Sequence, residues 1–154
     1  MGYDVEIGRE TGRHLAVTRF EARPEEMGQH MGAAFAAVAA HLAGTGVPIV
    51  GPAVSRYEMA GSGTFSVASG FVVAGEFEGA GGVEHLQLPE CDIATTTHVG
   101  PYERLGEAYD ALREGARAQG REVDESAPMW EEYLDGPETP PERTRTVVHW
   151  PLRS

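Results

Sequence analysis

ATTTHVGPYERLGEAYDALREGARAQGREVDESAPMWEEYL, residues Ala94 to Leu134, packs a strand, a tight turn, a helix and a second strand into one run. Cys91 to Val99 carries Ile93, a threonine run and Val99, β-branched side chains that suit a pleated surface. Gly100-Pro101 stops that strand, and Pro101 suits the first turn of a helix, where its missing N–H has no intrahelical partner to lose. Leu105, Tyr109, Leu112 and Ala116 follow at spacings of four, three and four, an apolar stripe that predicts a helix over Pro101–Gln119, with Gly120 as its stop. Pro128 opens MWEEYLDGP, and Asp135-Gly136-Pro137 closes it. In an extended segment alternate side chains share a face. Met129, Glu131 and Tyr133 therefore look one way, and Trp130, Glu132 and Leu134 the other. Taken alone, a carboxylate pair beside a tyrosine on a short strand is most often a solvated edge. If the Glu131 face lies toward a cavity, a charge stands among aromatic rings, which is costly unless a ligand or partner answers it.

The same pattern occurs earlier in the chain. Pro24 opens a predicted helix to Ala43 with the stripe Met31, Phe35, Val38 and Leu42, and Gly44 is its expected end. Ser55-Arg56-Tyr57-Glu58 then takes the place of Glu131-Glu132-Tyr133-Leu134, and Phe71 to Ala74 that of Thr146 to His149. Paired positions lie roughly 74 to 77 residues apart, which points to two β-α-β-β modules related by duplication. Ser55 stands where Glu131 stands, so the acid belongs to one half. Tyr3 to Ile7 and Leu15 to Phe20 read as strands broken at Gly12, and Val83 to Leu88 alternates again, so each half begins with an additional strand. The connector Glu78 to Gly82 is too short to separate independent domains. One domain over residues 1–154 is expected, with module one over about 1–78 and module two over about 83–154. Glu138 to Arg143 reads as a hairpin loop before a last strand, Thr144 to Trp150.

With 24 acidic against 12 basic residues the formal net charge is −12, which argues against binding nucleic acid by counterion release. A single cysteine forms no internal disulfide, and Asp4 and Glu6 interrupt any apolar run at the start, so a cytoplasmic location is expected. The Ala-rich stretch from Met31 to Leu42 is too short to span a bilayer. The six histidines, His14, His30, His41, His85, His98 and His149, show no zinc-type spacing, so neither metal nor cofactor is expected. Cys91 has no fixed neighbouring base and reads as a small buried hydrophobe. Gly61-Ser62-Gly63 is a loop tip without the Lys-Ser/Thr of a phosphate-binding loop. Tyr57, Phe71, Tyr102, Tyr109, Trp130, Tyr133 and Trp150 are each singly more often core than ligand-facing. Together they surround the two helices and the hairpins, where a cleft between duplicated halves would form.

The succession His98-Val99-Gly100-Pro101-Tyr102, the helix, and Trp130-Glu131-Glu132-Tyr133-Leu134-Asp135-Gly136-Pro137 resembles the GyrI-like small-molecule-binding family. That family also supplies effector-binding domains to bacterial multidrug-sensing transcription regulators. The resemblance covers nearly the whole chain. It implies an α+β fold of duplicated β-α-β-β modules, two curved antiparallel sheets around a central, aromatic-lined cleft with pseudo-twofold symmetry. It places the family's pocket glutamate at Glu131 and the neighbouring tyrosine at Tyr133. The chain would be a stand-alone member, a monomer or weak dimer, binding hydrophobic or cationic aromatic molecules for drug or toxin sequestration. Two other roles come with the resemblance, hydrolysis of cyclopropane-type DNA-alkylating natural products and gyrase inhibition. Hydrolysis needs a group to deprotonate water and a donor for the developing oxyanion, roles that fall to Glu131 and to Tyr133 or Tyr57. Gyrase inhibition needs a partner surface, and no contiguous apolar or charged segment supplies one.

Overall fold

A computed structural model describes residues 3–59, 63–136 and 138–154. Gly61 and Ser62 of the loop tip, and Pro137 of the turn after Tyr133, lie outside the described residues. In chain order the elements are β1 (Glu6–Glu10), β2 (His14–Ala22), α1 (Met27–Thr45), β3 (Ile49–Met59), β4 (Phe65–Val73), β5 (Glu84–Gln87), β6 (Cys91–Val99), α2 (Leu105–Ala118), β7 (Met129–Tyr133) and β8 (Arg145–Pro151). Short 3₁₀ turns over Pro24–Glu26 and Tyr102–Arg104 lead into the helices, and a third, Pro141–Arg143, precedes β8. Every described strand pairing is antiparallel, and the class is α+β. No helix among the described residues is long and apolar enough to cross a membrane.

The chain forms two compact units, one of Met1–Glu10 with Glu90–Ser154 and one of Thr11–Pro89. In the first, β1, β6, β8 and β7 lie side by side in that order, and α2 packs on β6. Of its predicted stripe, Leu105, Leu112 and Ala116 are buried and Tyr109 is partly buried, with Ala108 buried beside them. Burying a leucine such as Leu112 completely stabilises the fold by about 1.5–3 kcal/mol. The helix ends where expected, since Gly120 takes φ 80° and Arg121 N–H donates to Ala116 O at 2.8 Å.

In the second unit the order is β5, β2, β4, β3, and α1 packs on β2 and β4. Val38 and Leu42 meet Ala16, Val73 and Val83, with Phe71 against the cluster. Gly70 on β4 lies so close to β2 that an added Cβ would stand 1.7 Å from Ala16 O. Only glycine permits that approach.

Two sequence expectations differ from the structure. The helix from Pro24 does not end at Gly44: it runs to Thr45, and Gly46 closes it at φ 77° with its N–H donating to Leu42 O at 3.0 Å. The alternating run Tyr3 to Ile7 is displaced: the strand covers Glu6–Glu10, because its partners on β6 are Thr95 through Cys91. β1 pairs with β6, and β5 pairs with β2, so each of these strands pairs with a strand from the other half of the chain.

Candidate functional site

The Glu131 face of β7 is turned inward. Pairing with β8 sets Glu131 opposite Val148 and Tyr133 opposite Thr146, and Glu131 retains only 2% of its exposure. The stripe that buries Leu105, Ala108, Leu112 and Ala116 also carries Tyr109, whose hydroxyl donates to Glu131 Oε2 at 2.5 Å. Tyr133, two residues along the same strand face, donates to Oε1 at 3.0 Å. Each carboxylate oxygen thus receives a phenol, one from the helix and one from the strand itself. Hydrogen bonds to a charged acceptor are shorter and stronger than neutral ones, and they offset part of the cost of burying the carboxylate.

Two further aromatic residues border this arrangement. Tyr102, in the turn that leads into α2, meets Tyr133 edge-on at 6.1 Å between ring centres and is 52% exposed. Burial, then the negative charges of Glu131 and Asp135, raise its phenol above the ordinary tyrosine range. Trp150 on β8 meets Tyr109 edge-on at 6.5 Å. Its indole N–H donates to Asp124 O at 3.0 Å, and the Arg113 guanidinium lies 4.8 Å over its ring. Arg113 is itself held by Glu125 and Asp110 at 2.9 and 3.0 Å.

Of the residues singled out in the sequence, Glu131, Tyr133, Tyr102, Tyr109 and Trp150 come together. Trp130 does not: it is fully buried on the opposite pleat face, stacked on His149 with ring centres 6.0 Å apart. Tyr57 and Phe71 belong to the Thr11–Pro89 unit. There Tyr57 meets Phe65 edge-on, and Phe71 packs on Phe35. Ser55, the counterpart of Glu131 by sequence offset, is fully buried and shares a 2.7 Å hydrogen bond with Ser69 across the β3–β4 pair. Cys91 is partly buried, and burial raises its thiol above the usual range, so it is a poor nucleophile.

Sequence reading missed the histidine next to Glu132. Glu132 Oε1 lies 2.5 Å from His149 Nε2, on the strand face opposite to Glu131. The signal is the β7–β8 register, which sets Glu132 across from Val147 and so brings His149, two residues on, to the same face. Among the described residues no group of three or more His, Cys, Asp or Glu is arranged to hold a metal ion.

Among solved structures, the chain is similar to the C-terminal domain of EcmrR, at TM-score 0.80 and 15% identity over 100% of this chain and 99% of that one. It spans 58% of the EcmrR chain seen in complex with DNA, at TM-score 0.77 and 15% identity over 99% of its own length. It is similar to a hydrolase from Listeria innocua at TM-score 0.71 and 13% identity, covering 99% of this chain and 93% of that one. The protein SAV2435, solved bound to tetraphenylphosphonium, matches at TM-score 0.62 and 14% identity, covering 100% of this chain and 95% of that one. At such identities the likeness is one of fold. No curated protein matches the chain. The family model of the GyrI-like small molecule binding domain matches residues 3–153, and the chain belongs to that family.

Proposed function

We propose that the chain binds hydrophobic aromatic cations at Glu131. The observation that carries this reading is a carboxylate at 2% exposure, bonded to Tyr109 and Tyr133 and bordered by Tyr102 and Trp150. A cationic ligand meets the negative charge of the carboxylate, and the aromatic faces add attraction worth about 0.5–2 kcal/mol for each well-placed ring. Tyr102 is the exposed member of the group, so approach is from its side. Membership of a small-molecule-binding family supports the reading, as does a protein of the same fold bound to tetraphenylphosphonium. The test is calorimetric titration with tetraphenylphosphonium and with tetraphenylborate, an anion of the same shape. The phosphonium should bind, Glu131→Gln should weaken it at least about tenfold, equivalent to about 1.4 kcal/mol, and the borate should not bind. Equal affinity in the Gln variant, or preference for the borate, removes Glu131 as the ligand's counter-charge.

A second reading uses the same atoms for hydrolysis. A carboxylate with two O–H donors within 3.0 Å is the set that water-driven opening of a strained electrophilic ring requires. A chain of this fold is a hydrolase from Listeria innocua. Glu131 would activate water and Tyr133 or Tyr109 would donate to the leaving oxygen. Incubation with a cyclopropane-bearing alkylator and mass analysis for the hydrated product separates turnover from binding.

A further inference from the structure

The opposite face of the same sheet carries a second chemical arrangement. His149 on β8 accepts or donates at both ring nitrogens: Nε2 lies 2.5 Å from Glu132 Oε1, and Nδ1 lies 2.9 Å from Thr95 Oγ1. An ionised carboxylate only accepts, so it fixes the proton on Nε2 and leaves Nδ1 as the acceptor of the Thr95 hydroxyl proton. Glu132 comes from β7, His149 from β8 and Thr95 from β6, three neighbouring strands of one sheet. Thr95 pairs directly with His149, so the register itself holds hydroxyl and base together. His149 is 7% exposed and stacked on the fully buried Trp130 at 6.0 Å and 28° between planes, which fixes the imidazole orientation. Trp130 also brings to this face an indole N–H that is buried and unpartnered among the described residues. Thr95 is partly exposed and lines a cavity of about 350 Å3 with Tyr3, Asp4, Glu6, Thr96 and Thr97.

We propose that Thr95, His149 and Glu132 form an acyl-transfer site, with Thr95 as nucleophile, His149 as its base and Glu132 as the positioning residue that sets the His149 tautomer. The substrate class is a neutral or cationic carboxylic ester, because Asp4 and Glu6 in the cavity wall repel anions. Thr95 Oγ1 bonds to the ester carbonyl carbon and its proton passes to His149 Nδ1. The tetrahedral adduct breaks its bond to the alcohol oxygen, which leaves with that proton, and the acyl group stays on Thr95. Water then attacks the acyl carbon and gives a proton to His149 Nδ1, the bond from the acyl carbon to Thr95 Oγ1 breaks, that proton returns to Oγ1, and the carboxylic acid leaves.

The probe is p-nitrophenyl acetate, with peptide mapping by mass spectrometry for acetyl on Thr95 and absorbance for released nitrophenol. Wild-type protein should carry one acetyl at Thr95, Thr95→Val should carry none while keeping its melting temperature, and His149→Gln should acetylate more slowly by about 10²–10⁴-fold. Saturating tetraphenylphosphonium should leave the acetylation rate unchanged, which keeps this site distinct from the proposed aromatic-cation site. Nitrogen-15 NMR should find His149 protonated at Nε2 in the wild type, with that tautomer lost in Glu132→Gln. No acetyl on wild-type Thr95, an unslowed His149→Gln, acetylation lost as tetraphenylphosphonium is added, or a wild-type Nδ1–H tautomer each overturns the proposal.

Discussion

The Tyr109 hydroxyl on α2 donates at 2.5 Å to the Glu131 carboxylate on β7, joining a helix to a strand that lies 22 residues further along the chain. Removing one partner of a buried acceptor costs the desolvation of what remains. Tyr109→Phe keeps the ring against Trp150 and deletes only the donor, so it should destabilise the fold by about 1–3 kcal/mol in urea unfolding. An unchanged midpoint would mean that the bond adds nothing to stability.

Glu131 also acts on Tyr102. Burial comes first in raising that phenol, but the carboxylate's negative charge adds to it. Glu131→Gln removes the charge and leaves the burial, so Tyr102 should titrate at lower pH in the variant than in the wild type. Carbon-13 NMR of labelled tyrosine, with Tyr102→Phe to assign the signal, reads the direction directly.

Asp135 and Arg145 close the β7–β8 hairpin. The Arg145 guanidinium donates to both carboxylate oxygens at 3.0 and 3.1 Å, and its backbone N–H donates at 2.8 Å. The Arg145 side chain, then its backbone, hold the Asp135 carboxyl below its ordinary value of 3.8. A lowered folded-state value gives stability that is present above pH 3.8 and is lost as pH falls through the folded value. Asp135→Asn should therefore lower the urea midpoint at neutral pH, and the gap from wild type should close in acid. A gap that persists unchanged below that range would show that the pair does not act through ionisation.

Gly70 tests the packing of the Thr11–Pro89 unit. An added Cβ would stand 1.7 Å from Ala16 O, a backbone atom that moves only if the β2–β4 pairing shifts. Gly70→Ala should cost at least about 1–3 kcal/mol or yield no folded protein. Gly8→Ala, where nothing lies within 4 Å of the added carbon, is the matched control.

Much of this architecture was legible in the residues. The stripe Leu105, Tyr109, Leu112 and Ala116 gave α2, and the β-branched run gave β6 with the bounds Cys91–Val99. Alternation separated the Glu131 face of β7 from the Trp130 face before any partner was known. These are local properties, fixed by helix and strand periods that depend only on neighbours in sequence. The end of α1 was misplaced because Gly44 and Gly46 lie two residues apart, and only the observed φ of 77° shows which of them closes the helix.

What the tertiary structure decided is which segments meet. The pairing of β1 with β6 and of β5 with β2 joins strands distant in the chain, and alternation along a single strand carries no information about its neighbour. The same holds for the site. The sequence placed Tyr133 beside Glu131 because they share a strand face, but Tyr109 reaches the same carboxylate only because α2 lies over it. His149 reaches Glu132 and Thr95 only because the registers of three strands align them. Periodicity says which way a side chain points, whereas the partner it meets there is set by pairing and packing across the chain.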